Sequence, residues 1–148
     1  MRWTTHMATG MAIATLAGQP LVGVAIAGVS ALAPDIDSRG SKLGRKLPVI
    51  STFTSLVFGH RGALHSLLAI VALYLVGIQY FPDWVIPIII GYASHIIIDS
   101  FTPSKIPWLW PYKKRFGLAL IRTNSIVDIL TTVALVVFLG YYWAGNIN

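Results

Sequence analysis

The chain has 148 residues, of which 55% are hydrophobic and only 11% charged, and its mean hydropathy is +0.72. Soluble domains carry roughly 25% charged residues, so the composition excludes an ordinary soluble protein and indicates one membrane-embedded domain, residues 1–148. The net charge of +6 points to basic loops beside membrane spans, and no nucleic-acid-binding module accompanies it.

The chain contains no cysteine, so disulfides and thiolate metal sites are also excluded. A short head with Arg2 and Trp3 leads into residues 7–33, an apolar stretch rich in Ala and Gly and broken by Gly18-Gln19-Pro20. A single kinked span of about 25 residues would cross a bilayer. A helical hairpin, with helices near 4–17 and 20–32, would have arms too short to cross alone, and Pro20 would suit the first turn of its second helix. A cleaved signal peptide is a third reading, one that would remove His6.

Residues 34–63 form a polar loop that opens with Asp35 and Asp37, continues through a basic run ending at Lys46, and includes a moderately apolar piece, 47–58. That piece is expected to be a short helix or a surface segment. The turn Gly59-His60-Arg61-Gly62 precedes an apolar helix over 64–81, and Phe81-Pro82-Asp83-Trp84 connects it to another over 84–99. Residues 101–123 make a second basic loop with interfacial tryptophans. Asn124 and Ser125 are positioned to cap a final helix, 125–143. The expected fold is all-α: a small polytopic bundle with an N-terminal hairpin and about three further membrane helices.

Topology separates hairpin from span. With a hairpin, all eleven Lys and Arg residues fall on the cytoplasmic side, as the positive-inside tendency favours. The same topology gathers His6, His60, His65 and His95 at one face, whereas a single span would leave His6 opposite the others. The hairpin is therefore preferred.

Ionisable residues within apolar segments mark functional sites by default. His95 and Asp99, at i and i+4, share one helix face. His6, Asp35, Asp37, His60 and His65 join them at the same membrane face. Imidazole and carboxylate ligands of this number suit one catalytic ion with an open position, or two ions. Each part alone has a plainer reading: a His is often structural, and Asp-x-Asp after proline is commonly a turn. The collection of every His and three of the five Asp residues at one face favours a shared divalent-metal site, for zinc first and manganese or iron as alternatives. Arg61 is placed to hold an anionic oxygen, or to snorkel at the interface. Asp128 is either a carboxylate favoured by the last helix's N-terminus or a further catalytic residue. Asp83 is expected to be solvated.

An ordered set of short motifs supports the same reading. His6, Leu32-Ala33-Pro34-Asp35-Ile36-Asp37, His60-Arg61-Gly62 with His65-Ser66, Gly91-Tyr92 with Ser94-His95 and Asp99, and Thr102-Pro103 with Trp110-Pro111 together resemble the inner-membrane metal-dependent hydrolases described as LexA-regulated YdjM-like proteins. The resemblance spans roughly residues 6–112. It implies metal-dependent hydrolysis, with His6, Asp35, Asp37, His60, His65, His95 and Asp99 as ligand candidates. The chain departs from the pattern after Thr102-Pro103, where Ser104-Lys105-Ile106 stands in place of an expected glycine. A looser similarity is to the all-helical zinc phospholipase C group, as an analogy.

The resulting expectation is an inner-membrane, multi-pass hydrolase acting on a phosphoester or lipid head group at the cytoplasmic face. Metal-activated water would attack the ester, Asp37 would take the proton and Arg61 would steady the anionic oxygen. Its partners would be membrane lipids, with the basic loops drawn to anionic head groups. The alternatives are a transporter using the same His/Asp cluster as an ion pathway, and a regulatory or assembly protein with a structural metal.

Overall fold

The computed structural model describes residues 1–38, 40–58, 62–112 and 114–146. Among these the architecture is all-helical: α1 (Trp3–Leu16), α2 (Leu21–Ser30), α3 (Lys42–Lys46), α4 (Pro48–Phe58), α5 (Leu67–Tyr80), α6 (Val85–Asp99) and α7 (Ile126–Asn146). Two short 3-10 segments, Ala33–Asp37 and Ala63–His65, precede α3 and α5.

The N-terminal stretch forms a hairpin. Helix α1 runs out at Ala17, and Gly18 takes a left-handed φ of +70° that side chains with a Cβ resist. Pro20 then stands at the N-cap of α2, one position before the first turn, with its φ already near the helical value.

Small residues hold the bundle together. The backbone of Ala27 on α2 meets Gly91 of α6 and Gly10 of α1, and a Cβ at Gly91 would collide with the Ala27 carbonyl. Gly28 faces Met11 of α1, again with no room for a Cβ. Close approach of backbones through Gly and Ala is how helices pack where lipid removes the hydrophobic drive between them. Ala14, Val24 and Ala27 form the centre, flanked by Met11, Ile90 and Trp143.

The polarity is inverted relative to a water-soluble bundle. Thr5, His6, Thr9, Thr15, Ser94, His95 and Asp99 are buried, while Leu68, Val71, Leu75, Val76, Val133 and Val137 are exposed. Among the described residues of α5 only Gly77 is buried, and of α7 only Asp128 and Leu139. An apolar exterior around a polar, small-residue interior suits lipid as the surrounding medium.

Helix lengths are less uniform than the sequence suggests. With 21 residues, α7 has the length and composition to cross a bilayer. The apolar helices α5 and α6 have 14 and 15 residues, so at 1.5 Å per residue each is about 21–23 Å long. That falls short of a hydrocarbon core about 30 Å thick. The expected three full spans therefore reduce to one helix of crossing length and two shorter apolar helices. The ends of the apolar runs are spent elsewhere: Ala63–His65 is a 3-10 turn, and Ser66 caps α5 by accepting from the Ala69 N–H at 3.4 Å.

The second basic loop is a folded excursion. Ile106 and Phe116 pair in an antiparallel bridge, Ile106 is fully buried against Tyr92 and Ile96, and the Leu118 N–H donates to the Ser100 carbonyl at 2.7 Å. The Trp108 indole donates to Ser100 Oγ at 3.0 Å, and its carbonyl accepts from the Leu67 N–H at 2.9 Å. The loop thereby ties the end of α6 to the start of α5.

Candidate metal centre

Four segments bring chemistry to one end of the bundle. His6 lies in the first turn of α1, Asp35 and Asp37 in the 3-10 turn after α2, His65 in the 3-10 turn before α5, and His95 and Asp99 in the last turns of α6. His6, Asp37, His65, His95 and Asp99 are buried, and Asp35 is partly exposed.

The fold delivers each group for a local reason. Pro34 starts the turn that swings Asp35 and Asp37 back over the bundle. The four-residue spacing puts His95 and Asp99 on one face of α6, and the Gly91–Ala27 contact presses that face against α1 and α2. The imidazoles of His6 and His95 stack with centroids 3.8 Å apart, and His65 meets His95 edge-on at 5.2 Å.

Distances define two groups of potential ligands that share His95. His6, His95 and Asp99 form one; Asp35, His65 and His95 form the other. In the first, His6 Nε2 is 3.3 Å from Asp99 Oδ1 and His95 Nε2 is 3.7 Å from Asp99 Oδ2. In the second, Asp35 Oδ1 is 3.7 Å from His65 Nε2 and 3.8 Å from His95 Nε2. Asp37 Oδ2 lies 3.4 Å from His65 Nδ1, on the far side of that ring from Asp35. The Met1 ammonium sits 3.0 Å from Asp99 Oδ1.

His95 carries the clearest chemical information. Its Nδ1 lies 2.7 Å from the carbonyl oxygen of Ala31. A carbonyl can only accept, so Nδ1 holds the proton and the neutral ring's lone pair is on Nε2. That lone pair faces carboxylate oxygens of both Asp35 and Asp99 at distances beyond hydrogen-bond range. The Met1 ammonium offsets the charge of Asp99 from its Oδ1 side, and a cation between Asp35, Asp99 Oδ2 and His95 Nε2 would relieve the remaining repulsion among these acceptors. Ligand atoms about 2.0–2.2 Å from one tetrahedral ion stand roughly 3.3–3.6 Å apart, close to the spacings found. Both ring nitrogens of His6 and of His65 are likewise buried without a hydrogen bond among the described residues. The donor set therefore fits a divalent cation, and the Ala31 carbonyl supplies the outer contact that metal-bound imidazoles usually have.

Electrostatics outside the helices agree. Burial alone would raise the Asp35 carboxyl, but the adjacent His65 imidazole, with His95 and His6 close by, holds it down at about 2. Burial works against a charge on His65, yet Asp35 and Asp37 beside it raise its pKa above the ordinary imidazole value.

The expected site residues divide into three sets. His6, Asp35, Asp37, His65, His95 and Asp99 come together. His60 and Arg61 lie outside the described residues. Asp128 does not join either ligand group and serves as a helix junction. Its Oδ1 accepts from Thr5 Oγ1 at 2.6 Å, and its Oδ2 accepts from the N–H groups of Asn124 at 2.9 Å and Arg2 at 3.3 Å. Ser125 Oγ accepts in turn from the Asp128 N–H at 3.2 Å. One buried carboxylate thus caps the N-termini of both α1 and α7, the helix-end reading of this residue. Sequence reasoning missed the Ala31 carbonyl and Thr5; a backbone acceptor has no sequence signature, and Thr5 stands out only by adjoining His6.

Fold and site together define a helical membrane protein that buries a potential metal-binding cluster at one end of its bundle. The chain belongs to the family described as YdjM inner membrane protein, which it matches over residues 1–147. It is 37% identical to YvsG of Bacillus subtilis, over 97% of this chain and 94% of that one. It is 36% identical to the inner membrane protein YdjM of Escherichia coli over 78% of this chain. That alignment spans 62% of the E. coli protein's length, and the Shigella flexneri YdjM matches to the same extent. No solved structure matches the chain. Membership of this family supports an inner-membrane location.

Proposed function

We propose that the protein is a metal-dependent hydrolase of phosphoesters at lipid head groups, working at the cytoplasmic face of the inner membrane. The observation that carries this reading is the convergence on His95 Nε2: a lone pair fixed by the Ala31 carbonyl, facing carboxylates from two different segments. His6, His95 and Asp99 would hold one ion, with Asp35 and His65 as the second group. A divalent ion, zinc first, would supply an activated water and polarise the ester oxygen.

The chain's own residues have distinct tasks. Asp37, against His65 Nδ1, orients that ring and can take a proton from it. Arg61 carries the positive charge expected to meet the phosphate oxygen. His95 can serve one ion only, because its second nitrogen is committed to Ala31; a second ion would rest on Asp35 and His65 Nε2, with Asp37 behind that ring at Nδ1.

The multi-pass arrangement is part of the proposal. Helix α7 crosses, the shorter α5 and α6 pair within the membrane, and the α1–α2 hairpin dips in from the same side as the basic loops. The cluster lies at helix ends at one end of the bundle, which favours an interfacial hydrolase over an ion pathway, whose ionisable groups would be strung through membrane depth.

The test is head-group release from phosphatidylglycerol and phosphatidylethanolamine vesicles by reconstituted protein. Release is expected that a chelator abolishes, that added zinc or manganese restores, and that Asp99→Asn lowers by at least about 100-fold. Release that persists in chelator, or in Asp99→Asn, contradicts the proposal.

A further inference from the structure

We infer that Tyr92 is a positioning residue of the metal centre: its hydroxyl ties the 3-10 turn that carries His65 to the face of α6 that carries His95 and Asp99. The inference rests on the metal-centre reading and names the side chain that sets the geometry of its second ligand group. Tyr92, His95 and Asp99 stand at i, i+3 and i+7, so they share one face of α6. His95 and Asp99 offer ligand atoms directly. Tyr92 donates from its hydroxyl to the Leu64 carbonyl at 2.6 Å, and Leu64 immediately precedes His65.

The two ligand groups are built unequally. His6, His95 and Asp99 stand on α1 and α6, and both helices press against the Ala27 backbone through Gly10 and Gly91. Ligands on packed helices hold their places well. Asp35 and His65 stand instead on short 3-10 turns. In the His65 turn, the His65 N–H donates to the Gly62 carbonyl at 3.0 Å and Ser66 Oγ donates to the Ala63 carbonyl at 2.6 Å. These bonds close the turn upon itself and do not join it to the bundle. The Tyr92 hydroxyl makes that junction, across 28 residues of sequence.

Tyr92 is itself firmly seated. It is buried in a cluster with Ile96 and Ile106, and Ala33, two residues before Asp35, packs on the same cluster. One buried group of side chains thus borders both turns of the second ligand group. That group has few protein ligands once His95 serves the first ion, so the placing of His65 Nε2 against Asp35 matters most there. Contacts that orient a metal-binding imidazole typically contribute about 10–100-fold in metal affinity. The Tyr92 hydroxyl acts in this way through the backbone rather than on the ring.

The experiment titrates zinc, against a competing chelator dye, into metal-stripped full-length protein in nanodiscs, and records the α-helical signal of each sample. His65→Ala identifies the zinc equivalent that this ring holds. Tyr92→Phe keeps the ring in its cluster and removes only the hydroxyl. It is expected to weaken that same equivalent by at least about tenfold, with the other equivalent and the helical signal as in the wild type. Ile106→Val trims the same cluster and keeps the hydroxyl, so it should bind both equivalents as the wild type does. Unchanged zinc binding in Tyr92→Phe overturns the inference. So does an equal loss in Ile106→Val, which would make Tyr92 a packing residue only, and so does a weakening of both equivalents alike. A wild type in which His65→Ala alters no equivalent overturns it as well. Zinc binding as expected, without head-group release from vesicles, would leave the Tyr92 assignment standing and defeat the hydrolase reading instead.

Discussion

The α1–α2–α6 triangle and the α5–α7 exterior are built on opposite rules. The triangle packs backbone against backbone through Gly10, Ala27 and Gly91, seats Met11 against Gly28, and encloses His6, His95 and Asp99. The exterior helices bury almost none of their length. In water this division would be untenable, because apolar area would face solvent while charge was buried. In lipid it is economical: the exterior needs only to be apolar, so all the positional precision is concentrated where polar groups must be held.

That contrast predicts unequal sensitivity to mutation. The largest effect is expected at Gly91. A leucine there runs into the Ala27 carbonyl, and overpacking of even one or two methylenes costs about 1–3 kcal/mol. Since backbone rather than side chain must move, Gly91→Leu is expected to lower the thermal midpoint sharply and to lose metal with it. Retention of wild-type stability would break the comparison. Next is Asp128→Ala, which removes a buried carboxylate capping two helices. A loss of about 1–3 kcal/mol is expected in steric-trap unfolding, with Asp128→Asn milder because it keeps one acceptor.

A pH effect sharpens the site half of the comparison. The His65 pKa is raised by Asp35 and Asp37, so in metal-free protein a proton occupies this ring at a higher pH than an ordinary imidazole would hold it. Because a metal must displace that proton, affinity should decline as pH falls through the raised value, earlier than for an unperturbed imidazole. Isothermal titration of zinc from pH 8 to pH 5.5 reads this directly. The smallest effect belongs to the exterior: Val133→Ala and Val137→Ala, on exposed positions of α7, should change stability by less than about 0.5 kcal/mol.

Much of this division was legible in the residues themselves. The hairpin turn is carried by Gly18-Gln19-Pro20, where a left-handed glycine and a fixed proline φ leave little choice. The gathering of His6, Asp35, Asp37, His65, His95 and Asp99 follows from charge scarcity together with the positive-inside tendency. Span lengths were less legible. Hydropathy continues through Leu64 and Ala63, but the backbone there turns 3-10 so that His65 can enter the cluster; tertiary demand outweighs apolar composition. The basic loop's fold was hidden because backbone contacts with no sequence signature set it, among them the Ile106–Phe116 bridge and the Leu118–Ser100 hydrogen bond. Asp128 was ambiguous because a carboxylate in the first turn of a helix can cap locally or reach a neighbour, and here it does both.

The central claim is that His95 is the shared ligand of a buried cation. Its most direct test is the metal content of protein purified without affinity-tag metal, comparing wild type with His95→Ala. The account predicts at least about one equivalent of a transition metal in the wild type and near-complete loss in His95→Ala, with the α-helical signal of the variant retained. A wild type without stoichiometric metal, or a His95→Ala variant that binds it as tightly, would contradict it.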